Sequence, residues 1–352
     1  MTGNRRVFLH VGLPKTGTTY LQGVLARNRA RLRDVGMLYP GDRTAHHRAA
    51  WDLRGVPAKR AGDQHIAGSW DRLVGEVLDW DGTSVISSEL FCYGRPAHVK
   101  RVRRALAQVE LHLVLTVRDL LRQVPAVWQE RIKNQHTTSY DDFVEGLLRP
   151  GLDITMSRAF WGGQDAPAVL SRWTTGLPPA HVHVVTVPGT GAEPTELWHR
   201  FCAVVGLAAP DGYDLRVPTA NVSLPFAQTE LLRRITQSYH DLKWRRYRRL
   251  VRDRLLPVLA DAGADAPPAH VPATARMALA ERSRSIVTAL DASGFDIVGA
   301  LTDLLPTDAA DGSTGPAAQQ LSDADLVDAA VGVIRRLIEE RQAPTDRAQP
   351  TS

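Results

Sequence analysis

Short apolar runs closed by turn residues alternate along the first two thirds of the chain with segments whose apolar positions recur every three or four residues. Residues 6–11 read as a buried strand. Residues 18–28 read as the helix after it, with Tyr20, Leu21, Val24 and Leu25 on one face. Residues 33–40 turn into a short extended piece. Residues 41–69 are rich in Gly, Asp, His and Arg and read as a loop, the kind of segment that carries substrate contacts. A helix over 70–80 has Leu73, Val74, Val77 and Leu78 on one face, and 83–87 is a second strand ending at Ser88-Glu89. Pro96 opens a basic helix over 96–108. A third strand over 111–117 closes on Arg118-Asp119, and 120–134 is the helix that follows. A fourth strand over 181–187 stops at Pro188-Gly189. The helix over 196–205 ends at Gly206, a residue suited to the left-handed turn that closes helices.

This alternation predicts an α/β fold, a P-loop-like three-layer sandwich with a central parallel sheet, right-handed crossovers and a mostly helical C-terminal region. From Phe226 onward the pattern predicts helices and no strand. The expected layout is a core over 1–225, a helical extension of it over 226–305, a flexible linker over 306–321, a helix over 322–341 and a disordered tail over 342–352. Residues 264–274, rich in Pro, Ala and Asp, read as a further linker. Ser322-x-x-Asp325 resembles a helix start, with Leu326, Ala330, Ile334 and Ile338 as the apolar stripe behind it.

The composition changes this picture little. At 352 residues and 43% hydrophobic, the chain can bury a sizeable core. No apolar run approaches the roughly 18–20 residues that span a bilayer, and no leader peptide is apparent, so a cytoplasmic protein is expected. Cys92 and Cys202 have neither disulfide nor metal-ligand spacing, and the pattern suggests no metal site. The net charge is +5, but heavy use of Arg and Ala is what a GC-rich genome imposes, so the charge is not read as naming a partner. The basic stretch 243–254 reads first as a solvated helix face.

The chemistry concentrates after the first strand. Gly12-Leu13-Pro14-Lys15-Thr16-Gly17-Thr18-Thr19 combines glycines that admit an anion, a lysine charge and a helix N-terminus with free N–H groups. It is not a Walker A loop, which places Lys directly after its second Gly; here Thr18 holds that place and Lys15 comes two residues before Gly17. A lysine moved forward suits one 5′-phosphate bearing a transferable group better than a triphosphate with Mg²⁺. Arg118, at the end of the third strand, offers a guanidinium fork to a dianionic phosphate. Asp119 also permits a Walker B reading, which the adjacent Arg118 and the missing Walker A weaken, and a plain surface Arg–Asp pair remains open.

Pro14-Lys15-Thr16-Gly17-Thr18-Thr19 resembles the 5′-phosphosulfate loop of sulfotransferases that use 3′-phosphoadenosine-5′-phosphosulfate (PAPS), typically P-K-[ST]-G-T-[TS], and matches it at every position. The resemblance runs through residues 5–210, in the order found in many bacterial sulfotransferase-like chains, and Ala220-Asn221-Val222-Ser223-Leu224 resembles a further segment of theirs. It implies that Lys15 contacts the bridging oxygen between phosphate and sulfate, that Thr16, Gly17, Thr18 and Thr19 cradle the 5′-phosphate, and that Arg118 binds the 3′-phosphate. The family usually adds a Ser eight residues after that Arg. Here Ala126 stands there, with Gln123 and Arg122 as possible substitutes.

Glycan-modifying members have a Glu after the second strand as general base, which makes Glu89 the expected base here, its pKa raised by burial near an anion. A helix-start carboxylate after Ser88 is the other reading of Glu89. His46 and His47, expected to lie exposed in a polar loop, rank below it. Trp128 is expected in the core. The implied reaction moves a sulfuryl group to a hydroxyl, or less readily an amine, of a small-molecule or glycan acceptor, with PAPS as co-substrate, no metal and no nucleic acid. The sequence leaves oligomeric state open. Two other readings are carried: a P-loop NTP-dependent kinase, and a non-catalytic nucleic-acid-binding protein using the basic helical region.

Overall fold

The computed structural model describes residues 5–42, 44–58, 62–149, 151–217, 223–239, 241–306 and 321–342. Most of the Ala220–Leu224 segment, the linker and the tail therefore lie outside the described residues. The chain divides into two compact units: residues 1–123, 146–220 and 276–313 form one, and residues 124–145, 221–275 and 314–352 the other.

The first unit is built on a six-stranded sheet of β1 (Arg6–His10), β2 (Met37–Leu38), β3 (Thr83–Ser87), β4 (Glu110–Val117), β5 (Val182–Thr186) and β6 (Asp296–Val298), in the order β2-β3-β1-β4-β5-β6. Every pairing is parallel. Parallel neighbours need crossovers, and helices between the strands supply them, giving the α/β architecture that the alternation predicts. From β1 the chain first moves toward β2 and β3. From β4 it moves the other way, toward β5 and β6. The C-terminal ends of β1 and β4 thus flank the switch point, where open α/β sheets leave a crevice.

The strands are buried because their side chains alternate between two covered faces. Phe8, Val85, Val114 and Val185 pack on one face against Leu21, Val24 and Leu25 of α1 (Thr18–Arg27) and against Leu197, Trp198 and Phe201 of the helix Glu196–Val205. That helix closes on Gly206 at φ 74°, as expected.

Two expectations need correction. β6 is a strand beyond Phe226: three residues with one apolar pair carry too little periodicity to be seen, and only pairing with His183, Val184 and Val185 of β5 makes them a strand. Residues 41–69 are not all loop, since Ala45–Leu53 is a helix burying His46, Ala49, Ala50 and Leu53.

In the second unit Trp128 is fully buried and packs against Tyr140 and Phe226, with its indole N–H donating to the Thr138 carbonyl at 3.0 Å. The basic stretch is helical through Trp244–Tyr247 and Arg248–Leu255. It buries Tyr247 and Val251, leaves Arg245, Arg246, Arg248, Arg249 and Arg254 exposed, and holds the half-buried Arg252 against Asn134 at 2.8 Å. The last helix, Asp323–Gln342, buries Leu326, Ala329 and Val333, whereas Ile334 and Ile338 are exposed, so its inward stripe is rotated from the expected one. Among the described residues no helix is long and apolar enough to cross a membrane.

Candidate functional site

The loop that follows β1 is held by a directed chain of hydrogen bonds. Thr16 Oγ1 donates to the Leu13 carbonyl at 2.6 Å, and a carbonyl only accepts. Thr16 Oγ1 must therefore accept from Thr116 Oγ1, also 2.6 Å away. Thr116 in turn accepts from His10 Nε2 at 3.2 Å, which leaves His10 Nδ1 to accept from Ser87 Oγ at 2.8 Å. One network thus joins the ends of β3, β1 and β4 to the loop, and all four side chains are fully buried. Burial pushes the His10 imidazole down to about 4 against a smaller opposing pull from Glu89, so the ring is neutral, as the network requires.

The loop backbone is shaped for close approach. Lys15 sits at φ 69° and Gly17 at φ 83°, both in the left-handed region. Lys15 bears an unfavourable conformation of the kind that recurs at functional sites. A Cβ on Gly17 would collide with Leu197, and one on Gly12 with Thr18 Oγ1. Gly17 caps α1, whose first-turn N–H groups have no partner within the helix. The Pro14 carbonyl is turned away from this end: Gln123 Nε2 donates to it, and so does Gln164 Nε2 at 3.1 Å. Of the loop hydroxyls, Thr16's is committed inward, which leaves its backbone N–H as its contribution to an anion site.

Arg118 reaches the loop from the end of β4, its Nη1 donating to the Lys15 carbonyl at 3.3 Å. Its buried Nε has no partner among the described residues. Burial, then the neighbouring Arg122, lowers its pKa to about 10, so it still carries its charge near neutrality. Asp119 is occupied locally: it caps the helix Leu120–Lys133 through the Arg122 N–H at 2.9 Å and pairs with the Arg122 guanidinium. Both substitutes expected for the Ala126 position are thereby engaged, Arg122 with Asp119 and Gln123 Nε2 with Pro14 and Gln164.

Glu89 begins the short turn Glu89–Tyr93 after β3, with Ser88 as its cap. Gln22 of α1 reaches Glu89 Oε2 at 3.5 Å and the Ser87 carbonyl at 3.0 Å. His47 Nε2 lies 3.3 Å from Glu89 Oε1. Burial alone would raise the Glu89 carboxyl, but the His47 hydrogen bond and charge outweigh it and hold Glu89 below its usual range. The expectation of a raised value is thus overturned by a partner from another element. His47 is raised in return, because Glu89 overcomes its burial.

His46, expected to be exposed, is buried; its Nδ1 accepts the Ser87 N–H at 3.2 Å and its ring stacks on Tyr39 at 4.2 Å. Burial, reinforced by Arg29, drives its pKa to about 3, so it is a neutral support of β3 rather than a base. A cavity of about 530 Å³ lined by Asp42, Ala45, Arg48, His65, Ser69 and Glu76 opens beside this helix; Lys15, Glu89 and Arg118 are not in its wall.

The fold therefore collects the sequence-predicted residues at the C-terminal ends of β1, β3 and β4. It adds His10, Gln22, Thr116 and Gln164, and turns Gln123 to the Pro14 carbonyl. Of these, His10 and Thr116 had a faint signal, as polar residues inside apolar strands. Gln22 and Gln164 had none.

No family model matches the chain, and no curated protein matches it. Among solved structures, a sulfotransferase from Alicyclobacillus acidocaldarius is similar, with 15% identity and a TM-score of 0.41, over 72% of this chain and 96% of that one.

Proposed function

We propose that the chain is a PAPS-dependent sulfotransferase that moves a sulfuryl group to a hydroxyl of a small-molecule or glycan acceptor. The observation that carries this reading is the junction of Pro14–Thr19 with Arg118: a lysine, helix N–H groups and a guanidinium with a spare buried N–H meet at the switch point of a parallel sheet. In this reading the loop takes a single 5′-phosphate, and Arg118 takes a second anionic group such as the 3′-phosphate.

In the reaction the acceptor oxygen attacks sulfur, the bond from sulfur to the phosphate oxygen breaks, and adenosine 3′,5′-bisphosphate leaves. Lys15 stabilises the charge that develops on the leaving phosphate, assisted by the N–H groups of Thr16–Thr19. Glu89 takes the acceptor proton. His47 holds it ionised and oriented, and Gln22 steadies its other oxygen. As in phosphoryl transfer, positioning and electrostatics do most of the work.

Thermal stabilisation tests the reading. Adenosine 3′,5′-bisphosphate at a hundredfold excess over its Kd stabilises by about 2.7 kcal/mol, and ATP–Mg²⁺ is expected to do less. Lys15→Ala is expected to lose transfer from radiolabelled PAPS across a panel of hydroxyl acceptors. No shift with the bisphosphate would overturn the assignment, and a larger shift with ATP–Mg²⁺ would overturn it in favour of a kinase.

A further inference from the structure

A second polar cluster lies on the same face of the sheet at the opposite, N-terminal ends of the strands, where the proposed chemistry has no use for it. Glu110 opens β4, and His112 follows on the same side. His183 is the second residue of β5, Asp296 opens β6, and His181 closes the short turn Pro179–His181 that leads into β5. None of these spacings reads as a metal motif; parallel pairing alone brings the residues together.

Three contacts run in line. His112 Nε2 is 2.7 Å from Glu110 Oε1, His112 Nδ1 is 2.9 Å from His183 Nε2, and His183 Nδ1 is 2.7 Å from Asp296 Oδ2. Both ends are carboxylates, which only accept when ionised, and a neutral imidazole brings one N–H. As neutral imidazoles the two rings would bring two protons to three contacts. If Asp296 accepts from His183, and His183 accepts from His112, the His112 Nε2 lone pair is left facing the Glu110 carboxylate. A proton on His112 or a metal cation fills that place. His181 lies beside the same point: its ring stacks on His112 at 4.4 Å, its Nε2 is 3.9 Å from Glu110 Oε1, and the donor atoms of Glu110, His112 and His181 all lie within 4.8 Å of one another.

We propose that Glu110, His112 and His181 bind a divalent transition metal of the zinc type. Two imidazoles and a carboxylate are a usual donor set for such ions, whereas Ca²⁺ and Mg²⁺ favour oxygen alone. The His112–His183–Asp296 chain is the outer support that fixes the tautomer and orientation of a ligating histidine. Glu110 and His181 are each about a third exposed, so an ion has a way in. His112 precedes Thr116 by four residues of β4, about 13 Å at the strand rise, which separates the metal from the phosphate loop. Its role is structural: it ties β4 to the chain entering β5, and through His183 to β6.

The test uses the full chain without an affinity tag, stripped with a chelator and titrated with Zn²⁺ against a chromogenic competitor, with Co²⁺ absorption as a second reading. A single site is expected, with a rise in Tm. His181→Ala and Glu110→Gln should each weaken Zn²⁺ binding about tenfold or more and remove the Tm rise. Asp296→Asn should weaken it by roughly 10–100-fold through the outer contact. His199→Ala, in a separate pair with Asp211 at 2.9 Å, should leave binding unchanged. Far-UV circular dichroism confirms that each variant is folded. A wild-type chain that neither binds Zn²⁺ nor gains stability from it, or binding that survives in both His181→Ala and Glu110→Gln, would overturn the proposal. Neither result depends on the sulfotransferase reading.

Discussion

At Glu89 burial and pairing pull a carboxylate in opposite directions, and pairing wins. His47 supplies both a hydrogen bond and a charge at 3.3 Å, so the two groups titrate together: Glu89 is held down and His47 held up. Their pairing makes His47 a positioning residue for the proposed base. In His47→Ala, burial is left as the dominant influence on Glu89, whose pKa should then rise. The acid limb of the kcat/KM profile is expected to move to higher pH. An acid limb that stays in place, with only the rate lowered, would remove Glu89 as the titrating base. The sequence made Glu89 visible as a carboxylate at a strand end, but His47 only as one of two histidines in a polar segment. Nothing local could pair residues 42 positions apart.

The element that defines the site is the β1–loop–α1 junction, and its glycines act through shape. Gly17 combines φ 83° with Leu197 packed where a Cβ would stand. Gly17→Ala is expected to cost about 2 kcal/mol in urea unfolding, from the left-handed conformation plus the collision. Gly17→Ala combined with Leu197→Ala should relieve the collision but not the backbone term, a non-additivity that a double-mutant cycle reads directly. A fully additive pair would show that Leu197 is not what excludes the side chain. The motif was legible because its residues are contiguous. The chain of hydroxyls behind it, from Ser87 through His10 and Thr116 to Thr16, was not, because it crosses three strands and depends on their register.

At the scale of the molecule, the buried histidines set an acid limit on stability. His10 is lowered to about 4 and His46 to about 3, both from 6.5. Between those values and 6.5 the unfolded chain binds protons that the folded chain refuses, so stability rises with pH across this window and falls as pH drops through it. His47 has the opposite sign: raised in the folded state, it contributes stability that is complete below about 6.5 and is lost as pH climbs through its folded value. Between about 4 and 6.5 His10 and His46 should contribute a slope of unfolding free energy against pH approaching two protons, to which His98, His112 and His136, also lowered by burial, add. In His46→Gln, whose amide oxygen can still accept from the Ser87 N–H, the slope should drop by about one proton even if overall stability changes. An unchanged slope would mean that His46 is already protonated in the folded chain.

By itself the sequence determined what contiguous residues determine. The alternation of apolar runs and helical periods prescribed a parallel α/β sheet. Pro14–Thr19 carried the pattern expected of an anion-binding loop, and Arg118 stood at the end of a strand beside it. Tertiary structure decided what depends on register and on distance along the chain: β6 as a strand, His46 as a buried support, His47 as the partner that reverses the expected shift at Glu89, and the gathering of Glu110, His112 and His181 at the far end of the same sheet. The physical reason is common to all four. Local propensity is read along the backbone, whereas titration, ligation and short-strand pairing are set by neighbours that only the folded sheet brings within a few ångströms.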